Sequence, residues 1–141
     1  MINLYIFSNK SRGGLYGVGT YIRELITALR SKSNSIHIHV VHILCDQLQI
    51  EKKEVKDVSY WYFPEPISKE WNLLDQEQRK VYSRNIVYLL RNYIQDQKNL
   101  VFHLNSYRDK SLALELKIAF DCKVITCLLY TSDAADDSLR V

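Results

Sequence analysis

Ile2-Asn3-Leu4-Tyr5-Ile6-Phe7, then Gly13-Gly14-Leu15-Tyr16-Gly17-Val18-Gly19, then Tyr21-Ile22-Arg23-Glu24-Leu25-Ile26 decide the fold of this chain. The first run is almost continuously apolar, as a strand buried on both faces should be. The second holds all four glycines of the chain. The third belongs to a set (Val18, Tyr21, Ile22, Leu25, Ile26, Leu29) whose i, i+3, i+4 spacing lays an apolar stripe along a helix. Strand, glycine-rich turn and helix make the front of a βα unit, whose helix N-terminus presents free N–H groups to an anion. The competing account is that the glycines only let the helix pack closely on the sheet, but four in seven residues exceed what packing needs.

Outward from this unit, strands and helices alternate. Ile36 to Leu44 predicts a second strand, and Val58 to Phe63 a third, stopped by Pro64 and Pro66. Asp75 to Gln97 predicts a long helix with Tyr82, Ile86, Leu89, Leu90, Tyr93 and Ile94 on one side, and Asp75 is its N-cap. Leu100 to Leu104 predicts a strand, Ser111 to Phe120 a helix with Leu112, Leu116, Ala119 and Phe120 inward, and Cys122 to Thr126 a last strand. The charged stretch Gln47 to Asp57 predicts a solvated connection or a short helix. The fold class is therefore α/β, a Rossmann-like parallel sheet with flanking helices, since parallel strands need crossover connections. Ligands of such sheets bind beyond the carboxyl ends of the strands. That draws attention to the glycine loop, the turn after Leu44, the Asn105-Ser106-Tyr107 turn and whatever follows Ile125.

Composition sets modest limits. The 141 residues suit one domain with one core, and 47% hydrophobic with 25% charged residues are ordinary globular values. A net charge of +3 is too weak and dispersed to imply nucleic acid, and the ten tyrosines form no base-stacking pattern. No apolar run approaches a membrane span, and no signal-peptide pattern opens the chain. Cys45, Cys122 and Cys127 form no Cys-x-x-Cys pair, which suits free thiols in a reducing cytoplasm.

Several motifs fail on inspection. A dinucleotide fingerprint begun at Gly17 would need glycine where Ile22 stands, although Asp46 lies near where a ribose-binding acid would sit. No Walker sequence and no hydrolytic triad or carboxylate pair stands out. His37 and His39 share a strand face while His42 has the opposite parity, so they read as polar-face histidines near an edge, and no metal is expected. His103, near the end of an apolar strand, is either a satisfied core histidine or a ligand contact. Lys10 and Arg12 are either solvated loop cations or partners for a phosphate or a charged acceptor.

Tyr16-Gly17-Val18-Gly19-Thr20-Tyr21-Ile22-Arg23-Glu24-Leu25 resembles the glycine loop and first helix of bacterial family-four glycosyltransferases of the GT-B fold. Val101-Phe102-His103-Leu104-Asn105 looks like their His-x-His strand motif, with Asn105 in the second histidine's place. Lys123-Val124-Ile125-Thr126 looks like the start of their next strand motif, but Leu128 stands where a histidine would follow. The resemblance covers residues 1–126 and implies an incomplete, acceptor-side N-terminal domain of a retaining transferase. It implies a donor-phosphate loop at Gly14, Gly17, Val18 and Gly19, and an acceptor or cleft role for Lys10, Arg12, His103 and Asn105. It further implies a nucleotide-sugar donor, an unknown acceptor, a missing C-terminal donor domain, no cofactor, and a cytoplasmic location or one peripheral to the inner face of the membrane. Without that domain and histidine, this chain is expected to be inactive alone and to expose apolar docking surface.

From Cys127 to Asp137 the chain closely resembles a peptide translated from sequencing-adapter DNA, so residues 127–141 are expected to be an artefactual, disordered tail on a truncated frame. A natural acidic tail is the alternative. Two other classes of function stay open, a non-catalytic α/β interaction module and a nucleotide-cofactor-dependent oxidoreductase.

Overall fold

The computed structural model describes residues 1–9, 17–45, 48–64, 73–94, 96–105 and 110–126. The proposed tail, 127–141, lies outside them. In chain order the elements are β1 (Ile2–Asn9), α1 (Gly17–Lys32), β2 (Ile36–Cys45), β3 (Glu51–Val55), β4 (Val58–Pro64), α2 (Gln76–Tyr93), β5 (Leu100–Leu104), α3 (Lys110–Phe120) and β6 (Lys123–Thr126). They build one six-stranded sheet in the order β3-β4-β2-β1-β5-β6. All neighbours are parallel except β3, which runs antiparallel to β4.

The strand period of two sorts the core into two layers. Tyr5, Phe7, Val41, Trp61, Phe63, Phe102 and Leu104 face one way and pack with Ile86, Leu90 and Ile94 from the α2 region and Leu112, Leu116 and Phe120 of α3. Ile6, Ile38, Val40 and Val58 face the other way, under Ile22 and Ile26 of α1. The central strands are thus buried on both faces, which is why their sequences read as continuous apolar runs. Asp75 caps α2 through a capping box: its carboxylate accepts from the Gln78 N–H at 2.8 Å, and the Gln78 side chain accepts from the Asp75 N–H at 3.0 Å. α2 stops at Tyr93, four residues before the expected Gln97. Ile94 turns extended there and buries its side chain in the core, and the Asp96 carboxylate then accepts from the Lys98 N–H at 3.0 Å.

Two expectations need correction. Within the stretch Gln47 to Asp57, Glu51–Val55 is neither a connection nor a helix but the edge strand β3. All five of its residues are exposed, so no apolar alternation marks it in the sequence. Its register with β4 comes from a two-residue turn, Lys56 and Asp57 at φ 50° and 67°, the doubly left-handed geometry of a tight hairpin. Lys52 Nζ lies 4.8 Å from the Trp61 ring and Lys53 Nζ 5.6 Å from the Tyr62 ring, so the lysine stems lie against the aromatic residues of β4 while their charges guard the open edge. Second, His37 and His39 do not decorate a strand near an edge, because β2 lies inside the sheet between β1 and β4.

Candidate functional site

β1 is the hinge of the topology. From it the chain goes to β2 on one side and reaches β5 on the other only after two further strands. The carboxyl ends of β1 and β5 therefore flank a topological switch point, where an open α/β sheet leaves a crevice. α1 starts at Gly17, so Gly17, Val18 and Gly19 form its first turn, whose N–H groups have no helical acceptor. No acidic side chain stands in that turn to neutralise the positive end of the helix dipole.

β5 supplies the facing residues. His103 pairs in register with Ile6 and Leu104 with Phe7, so β5 ends two residues short of the end of β1 at Asn9. His103 shares the α1 side of the sheet with Ile6, and its ring centroid lies 6.2 Å from that of Tyr21 in α1. It is 7% exposed, and its Nδ1 is buried without a hydrogen-bond partner. Burial lowers its pKa, so the ring is neutral near pH 7. Asn105, directly after β5, is 2% exposed. Its Nδ2 donates to the Phe7 carbonyl at 2.9 Å, while its Oδ1 is buried without a partner. The sequence alternative of a satisfied core histidine does not describe His103. Each unpaired buried polar atom costs folding about 1–3 kcal/mol, and these two lie two residues apart at one strand end.

The topology puts Gly17, Val18 and Gly19 at the start of the helix that follows β1, and His103 and Asn105 at the end of the neighbouring β5; Tyr21 of α1 meets the His103 ring. Lys10, Arg12 and Gly14 lie outside the described residues, as do Asp46, Ser106 and Tyr107. The two orphaned atoms and the ring contact of Tyr21 were not legible beforehand. Tyr21 read only as one member of a helical stripe.

A second polar cluster, toward the amino ends of the strands, behaves differently. The Trp61 indole donates to His39 Nδ1 at 3.3 Å, and His39 Nε2 faces Asn3 Oδ1 at 3.4 Å. That assigns the proton of a neutral His39 to Nε2. Its ring stacks on Tyr5 at 4.1 Å and 8°, and burial, helped by His37 and Lys52, holds its pKa down at about 3. His37 Nε2 meets Ser59 Oγ at 3.3 Å, and Ser59 Oγ donates to Glu54 at 3.3 Å. With both nitrogens engaged, His39 offers no lone pair to a ligand. This cluster is structural.

Comparison with known proteins bears on the fold. No family model matches the chain, and no curated protein matches it. Among solved structures, one described as trehalose-6-phosphate from E. coli bound with UDP-2-fluoro glucose aligns with a TM-score of 0.59 at 12% identity, over 88% of this chain and 32% of the other. OtsA in its apo form aligns with a TM-score of 0.55 at 12% identity, over 99% of this chain and 36% of the other. This chain therefore spans about a third of the length of either. Both are trehalose-6-phosphate synthase, a GT-B glycosyltransferase. Identity this low speaks to architecture alone, and the architecture is α/β and Rossmann-like, matching part of the GT-B fold.

Proposed function

We propose that residues 1–126 are the acceptor-side unit of a retaining glycosyltransferase that moves a sugar from a nucleotide-sugar donor to an acceptor. The observation that supports this reading is the β1/β5 switch point, with the α1 N-terminus following β1 and two buried polar atoms without a partner, His103 Nδ1 and Asn105 Oδ1, at the end of β5. In this reading the N–H groups of Gly17, Val18 and Gly19, with Gly14 of the preceding loop, cradle the donor diphosphate and stabilise the charge that develops as the sugar leaves. Lys10 and Arg12 add cationic charge, and His103 and Asn105 line the acceptor side of the cleft. Leu128 stands two positions after Thr126, where the resembled transferases carry a histidine, so in this reading these 141 residues by themselves bind the donor but do not turn it over.

A titration of isotope-labelled protein tests this. Uridine diphosphate should move the backbone amide signals of Gly17, Val18 and Gly19, and the double variant Lys10→Ala, Arg12→Ala should weaken that binding roughly tenfold, the value of a charge-assisted contact. Hydrolysis or transfer of a nucleotide-sugar by this chain would contradict the reading. Preferential binding of a nicotinamide dinucleotide would move it to an oxidoreductase, and indifference to every nucleotide would leave an interaction module.

A further inference from the structure

Six side chains close a circuit across three strands at the β3 edge. The Trp61 indole of β4 donates to His39 Nδ1 of β2 at 3.3 Å, and the His39 ring lies 4.1 Å from that of His37. Ser59 Oγ of β4 gives its single hydrogen to Glu54 Oε1 of β3 at 3.3 Å, so His37 Nε2, facing Ser59 Oγ at 3.3 Å, is the donor of that contact. Glu54 Oε1 meets Lys52 Nζ at 3.4 Å, and Lys52 Nζ returns to the Trp61 ring at 4.8 Å. We propose that this circuit is an acid-operated latch: a proton taken up by His39 frees β3 from the sheet while the inner strands stay paired. The latch lies toward the amino ends of the strands, away from the β1/β5 switch point, and does not depend on what binds there.

A neutral His39 accepts at Nδ1 and donates from Nε2 to Asn3 Oδ1 at 3.4 Å. A proton added at Nδ1 sets one N–H against the indole N–H, two donors with no acceptor between them, so the Trp61 bond breaks. The ring's neighbours are Tyr5 of β1, stacked on it, His37 of β2 and the Trp61 indole, with Lys52 of β3 over the indole and Tyr93 of α2 edge-on to it at 5.3 Å. None of these is an acid. The carboxylate of the circuit, Glu54, is already held by Lys52 and Ser59. Burial first, then His37 and Lys52, accordingly hold the His39 pKa down at about 3.

Trp61 cannot turn away from His39 without disturbing Lys52, and β3 is the strand with the least to lose. All five of its residues are exposed, and among the described residues it pairs with β4 alone. The side chains of Lys52 and Glu54 are 43% and 65% exposed, where an ion pair holds weakly. Lys56 and Asp57 sit at positive φ, a backbone cost that opening the hairpin returns. β1, β2 and β5, by contrast, carry side chains of the buried core. Releasing β3 bares the β4 edge, whose Tyr60-Trp61-Tyr62-Phe63 run is strongly strand-forming.

Hydrogen exchange on the full 141-residue chain, followed strand by strand between about pH 6 and pH 4, tests the latch. A freed His39 binds a proton near its usual 6.5 and the latched one only near 3, so acid favours opening across that window. Protection of the β3–β4 amides, referred to the unstructured chain at each pH, should fall about tenfold per pH unit, the signature of one proton taken up on opening. The β1–β2 and β1–β5 amides should stay at least about tenfold better protected throughout. His39→Gln has an amide that can accept from Trp61 and donate to Asn3 but takes up no proton, so its β3–β4 protection should stay flat over the same range. Should that variant not fold, the comparison of strands in the unaltered chain decides alone. Three results overturn the proposal: β3–β4 protection that ignores pH, a pH response that persists in His39→Gln, or loss of protection in all strands to one common level, which would mean that acid opens the sheet as a single unit.

Discussion

His39 and His103 are both buried histidines, yet their surroundings give them opposite meanings. His39 has a partner for each ring nitrogen and a stacked tyrosine beneath it, so its burial is complete as it stands. His103 lacks a partner at Nδ1, so its burial is incomplete until something arrives. The first residue carries a prediction about acid. Its folded pKa of about 3 lies below the 6.5 it takes when exposed. Between those values the unfolded chain binds a proton that the folded chain refuses, so stability falls as pH drops, with a slope of up to about 1.4 kcal/mol per pH unit. His39→Gln keeps a neutral acceptor for Trp61 and removes the titration. Urea unfolding of both forms at pH 7 and at roughly pH 4.5 should show the unaltered protein losing more stability than the variant, by the contribution of about one proton. Equal losses would mean that His39 is protonated without harm in the fold. No spacing rule separates the two histidines, because what distinguishes them is supplied by Trp61 and Asn3, residues 22 and 36 positions from the His39 ring they engage.

Among the elements, the helices and every strand but β3 were legible. An amphipathic helix writes its buried face into its own sequence, and a strand buried on both sides writes an apolar run. β3 writes neither, since Glu51-Lys52-Lys53-Glu54 is exposed throughout and is held by main-chain pairing and lysine–aromatic contacts that only β4 provides. Its turn is also poorly written. Lys56 and Asp57 occupy left-handed backbone that asparagine and glycine adopt at far less cost. Replacing them together, Lys56→Asn with Asp57→Gly, should stabilise the protein by about 1 kcal/mol and raise its Tm by roughly 3 °C in a thermal unfolding experiment. A lower Tm would show that the turn geometry differs. The salt bridge between Arg84 of α2 and Glu115 of α3, 3.3 Å across the helix pair, is open to solvent on its Arg84 side and contributes at most about 1 kcal/mol to keeping those helices in register.

At the scale of the whole molecule, one flank is unfinished among the described residues. β6 pairs with β5 alone, and next to it α3 turns Leu114 and Ile118 outward at 61% and 69% exposure, one helical turn apart. Such a patch favours association. Light scattering across a concentration series should find self-association in the unaltered chain that Leu114→Lys with Ile118→Lys abolishes, with the helical circular dichroism unchanged. Persistent association in the variant would place the sticky surface elsewhere. No helix among the described residues is long and apolar enough to cross a membrane. The α/β class, the order of the helices and inner strands and the Asp75 cap follow from the sequence by itself, because periodicity and capping are local properties that a chain carries with it. The position of β1 at the switch point, the edge role of β3, the silent pairing of His39 and the unmet hydrogen bonds of His103 and Asn105 were decided only by the tertiary structure. Each depends on which distant segment arrives beside which, and a hydrogen bond made or left unmade across such a distance leaves no mark in the spacing of residues.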